Sequence, residues 1–323
     1  MMEGINIYKR PRLRNPYLIC AWPGMGEVAF KAANYLVEQL KAEEFAEILP
    51  EDFFYITTST IVKGVLNVPN LPYSKFYYWK NDVGKNDLII FVSQAQPDLN
   101  KAENYCRRVI DLAKSFKVKM VISFAAMPQP VDHTQASNVW FASTSKKIND
   151  DFKKYNLTLL SEGQISGMNG LFLGIAKKEG LDGFCLLGEI PLYAIQIENP
   201  RASYAVLDAL RRILNIKIEF SHLIEQAHIM ESEINKLLDY LKIGAQVTGP
   251  INDEDIEKIK KFLTQLTRLP LSVKEKIEKL FNEAKVDISK ANELKAELDK
   301  WNVYKEYEDR FLDLFKKTED RNN

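Results

Sequence analysis

Three short segments of this 323-residue chain carry turns and side chains that could bind a ligand. In the first, Gly24, Met25 and Gly26 separate an apolar run from an amphipathic one. Two glycines allow a tight turn whose exposed backbone amides, at the start of a helix, would attract an anion such as phosphate. The run from Gly24 to Ala29 also fits the relaxed dinucleotide-binding pattern G-x-G-x-x-A, although close packing of a helix on a strand requires the same glycines.

The second segment is Ser166–Gly170, which precedes another predicted helix, and the third is Gly188–Pro191, which ends a predicted buried strand. Asn169 in the second segment could bind a ligand or supply a left-handed turn conformation, which asparagine tolerates. Glu189 in the third lies where open α/β sheets place their ligand crevices, or else it caps nearby backbone amides. The candidate ligand-binding residues are Gly24, Met25, Gly26, Asn169 and Glu189.

The titratable residues outside these segments do not form a catalytic set. His133, next to Asp132, could take part in acid–base chemistry, but no nucleophile is identified for it to serve. His222 and His228 are six residues apart on one predicted helix, and this spacing does not place them on one face to hold a metal. The sequence has neither a G-x-S-x-G elbow nor a Cys-x-x-Cys pair. We therefore predict no catalytic residue, no metal site and no cofactor.

The composition is that of an ordinary soluble globular protein, with 46% hydrophobic and 27% charged residues. Lysine plus arginine and aspartate plus glutamate number 44 each, so no excess charge indicates nucleic acid or an anionic membrane as a partner. No apolar run approaches the ~20 residues of a membrane span, and the N-terminus lacks the charged and apolar regions of a signal peptide. The three cysteines are far apart and indicate buried thiols, so we expect a cytoplasmic protein.

Strands alternate with predicted helices through the first two thirds of the chain. Four continuous apolar runs are typical of buried strands: Tyr17–Trp22, Asp87–Ser93, Val118–Phe124 and Phe184–Gly188. This alternation implies right-handed crossovers and a mainly parallel sheet that is covered on both faces. Residues 55–62 are rich in β-branched side chains, which predicts a strand, and residues 65–72 indicate a turn. Residues 73–80 predict a second strand that forms a hairpin with the first and pairs with it antiparallel. We predict an α/β domain over residues 1–218.

From residue 219 onward the chain consists of long amphipathic runs rich in Lys, Glu and Leu, without convincing strands. We therefore predict a helical C-terminal region over residues 219–323. Its helices are predicted at Ser221–Ile243, Asp253–Leu266, Ser272–Glu283 and Ser289–Lys317. The last helix has an apolar face that must bury against its own domain, a second copy or a partner, and packing within the chain or in a homo-oligomer is favoured. The candidate interaction residues are Leu298, Trp301, Tyr304, Phe311 and Phe315.

Three motifs occur in a fixed order along the α/β region. They are Pro23–Gly26 after an apolar strand, Ile165–Leu171, and Cys185–Pro191 with Asn199–Ala202 beyond it. In this order and at these separations they resemble the PAC2 family, named for the eukaryotic proteasome assembly chaperone 2. The resemblance covers roughly residues 16–227, and the helical tail resembles an extension found on some prokaryotic members. It implies a three-layer α/β fold like that of the nucleoside phosphorylases, without an established catalytic apparatus.

The resemblance also implies a function. Family members with an assigned role help to assemble proteasome α subunits, and archaeal relatives form homo-oligomers. Such chaperones dock through a C-terminal hydrophobic-Tyr-any motif, which the ending Glu319–Asn323 does not contain, so a proteasome-like subunit as partner is in question. Our hypothesis is a non-catalytic protein–protein interaction or assembly-chaperone-like protein that forms a homo-oligomer. The alternative is an enzyme or sensor that binds a nucleoside, nucleotide or phosphate in the phosphorylase-like crevice.

Overall fold

The computed structural model describes residues 4–55, 59–62, 64–244, 271–300 and 303–319, which form two compact units. The sheet unit takes in the described residues of Met1–Met127, Thr134–Ile190 and Ile197–Met230. The tail unit takes in those of Pro128–His133, Pro191–Gln196 and Glu231–Asn323. The tail unit thus includes two short segments from the α/β region besides the C-terminal region. The domain boundary at residue 218 stays a prediction.

The sheet unit is organised around one mixed sheet. The strands in the described part of the chain are β1 (Ile5–Ile7), β2 (Tyr17–Ala21), β3 (Glu43–Ile48), β4 (Thr60–Val62), β5 (Val65–Asn67), β6 (Ser74–Trp79), β7 (Leu88–Ser93), β8 (Met120–Gln129), β9 (Val139–Ser143), β10 (Thr158–Leu159) and β11 (Gly183–Pro191). Nine of these form the main sheet in the order β1-β3-β6-β7-β2-β8-β11-β9-β10. The remaining two, β4 and β5, pair with each other in a separate sheet.

The main sheet is parallel at its centre and antiparallel on either side, except that the edge strand β10 pairs in parallel with β9. Strand β2 pairs in parallel with both β7 and β8. Strand β3 is antiparallel to β1 and β6, β6 is antiparallel to β7, and β9 is antiparallel to β11. Every residue of β7 is buried, because a central strand with helices on both faces has no solvent side and shows no alternation. The predicted α/β fold with a mainly parallel or mixed sheet is confirmed.

Helices cover both faces of the sheet and give the three layers. They are α1 (Val28–Gln39), α2 (Ala102–Ser115), α3 (Lys146–Phe152), α4 (Met168–Lys178) and α5 (Pro200–Leu214). The next helix, α6 (Ser221–Gly244), begins beside α1, where His222 stacks on Tyr35, and it continues into the tail unit. Leu18, Cys20 and Trp22 share one core with Tyr105 of α2 and Phe172 of α4. Helices α1 and α5 pack against each other, and α1 packs against β2 and β7. Alternate side chains of β2 therefore point to the two opposite faces of the sheet.

The long connection between β3 and β6 contains a small hairpin. Residues 65–72 were predicted as a turn, and this is wrong for Val65–Asn67, which form β5 and pair antiparallel with β4. The strand predicted over residues 55–62 is shorter in the structure, because only Thr60–Val62 are in a strand among its described residues. Residues 56–58 lie outside the described part of the chain.

The tail unit has a hydrophobic core of its own. Its C-terminal helices are α7 (Leu271–Val286), α8 (Ala291–Lys300) and α9 (Tyr304–Glu319). The core side chains are Ile277, Leu280, Phe281, Ala284, Ala291, Leu294, Leu298, Val303, Phe311 and Leu314. The helical C-terminal region is thereby confirmed in its described residues, whereas the helix predicted at Asp253–Leu266 lies outside them.

One long helix was predicted over Ser289–Lys317, and this is wrong. Helix α8 ends at Lys300, and α9 begins at Tyr304. The N–H of Val303 donates to the carbonyl of Leu298 at 3.0 Å, a bond across five residues that satisfies a carbonyl at the end of α8. The break lets α9 pack back against α7 and α8, so that one apolar face can be buried within the chain.

Candidate functional site

The first glycine turn connects β2 to α1 and is held by backbone hydrogen bonds. The N–H of Glu27 donates to the carbonyl of Gly24 at 2.9 Å, and the N–H of Asn199 donates to the carbonyl of Gly26 at 2.8 Å. Gly26 has φ +60°, and a Cβ added there would lie 3.3 Å from the Asn199 Cβ and 3.4 Å from the Ile190 side chain. Backbone conformation and close packing therefore account for the glycine at position 26.

Asn169 lies at the start of α4 and contacts the strand end that precedes this turn. Its Oδ1 accepts the N–H of Trp22 at 3.0 Å, and its Nδ2 donates to the carbonyl of Trp22 at 3.1 Å. Asn169 and Trp22 are both buried. The Asn169 side-chain amide therefore takes the place of the backbone groups of a neighbouring strand, with which the Trp22 N–H and carbonyl would otherwise pair. A Cβ added at Gly24 would lie 3.6 Å from Asn169 Nδ2, so the structure brings Gly24 and Asn169 together.

Gln96, which the sequence analysis did not single out, joins the two glycine-rich turns. Its Nε2 donates to the carbonyl of Pro23 at 2.7 Å, and its Oε1 accepts the N–H of Met168 at 3.3 Å. The amide of Gln96 thereby occupies a backbone N–H in the first turn of α4, where an anion would bind. The only signal for it in the sequence is its position just beyond the end of β7.

Glu189 is buried on β11 and binds the neighbouring strand region. Its carboxylate accepts Trp140 Nε1–H at 2.7 Å, Asn138 Nδ2–H at 2.8 Å and the Asn138 backbone N–H at 3.3 Å. Ile190, the next residue, contacts Gly26, and successive residues of a strand point to opposite faces. The five candidate ligand residues thus do not form one cluster: Gly24, Met25 and Gly26 lie in the turn after β2 with Asn169 beside it, and Glu189 faces β9.

Glu27 combines an unusual backbone conformation with a perturbed carboxyl. Its φ of +50° is in the left-handed region, which side chains other than Gly, Asn and Asp seldom adopt. Partial burial raises the pKa of Glu27, the nearby Glu198 carboxylate raises it further, and a hydrogen bond from the Gly24 backbone partly opposes the shift. Lys31 forms an ion pair with Glu198 at the same place.

We predict that Glu27→Gln makes the protein modestly more stable at pH 7 and leaves its stability almost unchanged at pH 4. The raised pKa means that the folded state binds the Glu27 proton more tightly than the unfolded state does. In the unfolded state the pKa of this carboxyl has its ordinary value of 4.5. The stabilising contribution of this group is therefore fully present below about pH 4.5 and is lost as the pH rises through the raised pKa. Urea unfolding at the two pH values measures the difference, with Glu38→Gln, an exposed change near the end of α1, as the control. An equal gain at both pH values would contradict the assignment.

His133 lies in the tail unit, in a fully bonded arrangement. Its Nδ1 is 2.8 Å from Tyr193 Oη, its Nε2 is 3.0 Å from Asn235 Oδ1, and its backbone N–H donates to Tyr193 Oη at 2.9 Å. The Asp132 carboxylate is 3.4 Å from Nδ1. The ring therefore connects two short segments of the tail unit to α6, and both of its nitrogens are already engaged.

The predicted interaction residues of the tail differ in their exposure. Leu298 and Phe311 are buried in the core of the tail unit, and Tyr304 packs partly buried against it. Phe315 is 45% exposed, and Leu312 beside it is 46% exposed. Trp301 lies outside the described residues. Among the described candidate residues of this face, Phe315 is the most exposed.

Three further properties bear on the kind of site. Across the described ranges, no helix combines the length and apolar composition that crossing a membrane requires. The same residues contain no group of three or more His, Cys, Asp or Glu side chains placed to hold a metal ion. An open surface pocket of about 340 Å³ is lined by Asp52, Phe53, Lys101, Asn104, Arg107, Arg108 and Asp111. It includes none of the candidate ligand residues.

Comparison with known proteins places these features in a family context. Residues 18–238 match the PAC2 family. The uncharacterized protein MJ1210 of Methanocaldococcus jannaschii is 27% identical over 252 residues, which cover 76% of this chain and 93% of that protein. PbaB of Pyrococcus furiosus, described as an archaeal proteasome activator, is similar with a TM-score of 0.63 and 29% identity, over 72% of this chain and 97% of that one. PbaA of the same organism, described as an archaeal homolog of proteasome-assembly chaperone, has a TM-score of 0.56 and 25% identity, over 72% and 96%.

Proposed function

We propose that this chain, which belongs to the PAC2 family, is a non-catalytic protein–protein interaction protein of the assembly-chaperone type. It works in the cytoplasm as a homo-oligomer and binds another protein. It uses neither a cofactor nor a metal.

One observation carries this proposal. The chain matches PbaB over 97% of that chain at 29% identity, so almost the whole of the solved protein has a counterpart here. PbaB is described as a proteasome activator and PbaA as a homolog of an assembly chaperone, and both descriptions are of proteins that act on other proteins. A protein partner is therefore the function class that the similarity supports.

The geometry around the glycine turns supports the same class. Asn169 uses both polar atoms of its amide on Trp22, and Gln96 joins Pro23 to Met168. The Glu189 carboxylate accepts three hydrogen bonds from Asn138 and Trp140. The side chains of Asn169, Gln96 and Glu189 and the N–H of Met168 are thus engaged by the protein itself, which supports binding through an outer surface.

Native mass spectrometry of the lightly tagged protein, purified from its own host, tests the proposal. We expect a second protein at a fixed stoichiometry. The variant Phe315→Glu should lose that partner if the exposed end of the tail face makes the contact, whereas Leu171→Glu, an exposed change on α4, serves as its matched control. A protein without a partner that carries a bound small molecule would overturn the proposal.

Thermal shift with nucleosides, nucleotides and inorganic phosphate tests the alternative directly. We expect no shift, because the side-chain amides of Asn169 and Gln96 and the N–H of Met168 are engaged. If a shift occurs, Gly26→Val should abolish it, since a side chain there meets Asn199 and Ile190. A ligand-dependent shift that Gly26→Val removes would favour a small-molecule sensor or enzyme.

A further inference from the structure

The segment Lys9–Pro16 crosses one edge of the main sheet. It leaves β1, the outermost strand on one side, and enters β2, with β3, β6 and β7 lying between these two strands in the sheet. The N–H of Arg14 donates to the Asp87 carboxylate at 2.5 Å, and the N–H of Lys119 donates to the carbonyl of Pro16 at 2.9 Å. Because β2, β7 and β8 pair in parallel, their amino ends meet at this edge.

This edge of the sheet carries a concentration of positive charge. We call it the basic edge and define it by three chain segments: Lys9–Pro16, Lys80–Asp87 and Lys117–Lys119. They contain eight lysines and arginines and two carboxylates, whereas the whole chain has equal numbers of the two kinds. Of the carboxylates, Asp87 is 5% exposed and accepts two backbone N–H groups, so only Asp82 faces solvent. The solvent side of the basic edge is therefore strongly cationic.

Four cations of the basic edge are exposed and form no ion pair with any residue that the structure describes. They are Arg12, Lys85, Lys117 and Lys119. The negative end of the α2 dipole favours Lys117 and Lys119, which follow that helix, but Arg12 and Lys85 follow no helix. Like charges on one surface repel each other, and an oppositely charged partner relieves that repulsion. The arrangement therefore favours an acidic partner.

Two arginines of the basic edge are already in contact with the protein itself. The Arg10 guanidinium lies 5.4 Å from the centroid of the Phe116 ring, and Arg14 Nη2 donates to two backbone carbonyls of Lys80–Asp87. Arginine is the side chain best suited to bidentate binding of phosphate, and these two are partly committed elsewhere. The unpaired cations are mainly lysines, whose compact charges attract an acidic surface without requiring a fixed geometry. This composition favours an acidic protein over a nucleic acid.

The three segments also differ from a membrane-binding element. They are irregular loops and turns, whereas anionic membranes are ordinarily bound by an amphipathic helix with a continuous apolar face. One large apolar side chain, Val83, is 77% exposed among the cations of Lys80–Asp87. A single apolar contact surrounded by charge is compatible with a polar protein–protein interface.

We propose that the basic edge binds an acidic segment of the partner protein. Charge complementarity of this kind increases the rate of association and selects the partner by its surface charge. The inference rests on the proposed function, because it takes the partner to be a protein, and it adds the chemistry of the surface that the partner presents.

Fluorescence anisotropy with a labelled deca-glutamate peptide tests the proposal on the full chain. We expect binding at low ionic strength that weakens as salt is added. The double variant Arg12→Glu with Lys119→Glu should bind at least about tenfold more weakly, because two attractive charges become repulsive. Lys279→Glu with Lys290→Glu changes the net charge equally at exposed positions of the tail unit and should bind like the natural chain.

Other outcomes would overturn the proposal. These are no peptide binding at low ionic strength, peptide binding that the double variant retains, or tighter binding of oligouridylate or phosphatidylserine vesicles through the same two residues. If the double variant alters the circular dichroism spectrum, Lys85→Glu in a separate segment replaces it and should also weaken binding. In native mass spectra, a partner protein that the double variant retains would overturn this proposal and leave the proposed function intact. A natural chain without any protein partner would instead overturn the proposed function, and this inference with it.

Discussion

Asn169→Leu should lower the free energy of unfolding of the sheet unit by about 1–3 kcal/mol for each of the two Trp22 backbone groups that lose their partner. The leucine has a similar size but neither a donor nor an acceptor. It would leave a buried N–H and a buried carbonyl without hydrogen bonds at the end of a central strand. Urea unfolding at pH 7, followed by circular dichroism, measures the loss.

Two further variants make this result specific. Leu171→Ala, a change of an exposed residue on the same helix, should shift the unfolding free energy by no more than about 0.5 kcal/mol. Asn169→Asp keeps the acceptor for the Trp22 N–H but buries a carboxylate against the Trp22 carbonyl, so its cost at pH 7 should be no smaller than that of Asn169→Leu. If Asn169→Leu unfolds like the natural chain, the amide is not needed for structure, and the ligand-binding role predicted for Asn169 would gain support.

Phe281→Ala should destabilise the tail unit by about 3–5 kcal/mol, the usual cost of truncating a fully buried phenylalanine. Phe281 is fully buried, and the Arg310 guanidinium lies 4.3 Å from its ring centroid. Arg310 also forms a bidentate ion pair with Glu278, which fixes α9 against α7. Hydrogen exchange read by mass spectrometry should show loss of protection in α7, α8 and α9, with protection of β2 and β7 retained.

Phe315→Ala is the matched control for this prediction. The side chain of Phe315 is 45% exposed at the end of the same helical unit, so its truncation should cost far less than that of Phe281. Equal effects of the two substitutions would show that the tail unit is not held together by the core described above. Deleting residues 289–323 is a less specific test, because it removes Leu294, Leu298 and Phe311 and leaves the buried side of α7 without its cover.

Much of the fold could be predicted because a buried strand or helix face shows itself as a pattern of apolar residues within a short stretch of sequence. The apolar runs at Asp87–Ser93 and Val118–Phe124 correspond to β7 and β8, since a strand covered on both faces must be apolar at every position. The amphipathic runs at Ser221–Ile243 and Ser272–Glu283 correspond to α6 and α7 because an amphipathic helix must bury one face. Where the local signal was mixed, as in residues 65–72, the prediction of a turn was wrong.

The candidate site was less predictable, because its contacts join residues that are far apart in sequence. Asn169 and Trp22 are 147 positions apart, and Gln96 lies 73 positions from Pro23. The sequence showed that Asn169 and Glu189 are polar residues at element ends. Whether a ligand or the protein itself satisfies such a residue depends on what the fold brings next to it.

The sequence by itself determined the order of strands and helices, the buried faces, the helical tail and the family. The elements follow from periodicity and composition, which act over a few residues at a time, whereas the family was indicated by the resemblance of three ordered motifs. Only the tertiary structure decided that Asn169 binds the Trp22 backbone, that Glu189 faces β9, and that the tail folds back on itself after Lys300. The physical reason is that a polar atom or an apolar face takes the nearest complementary partner in space, and which partner is nearest is known only once the chain is folded.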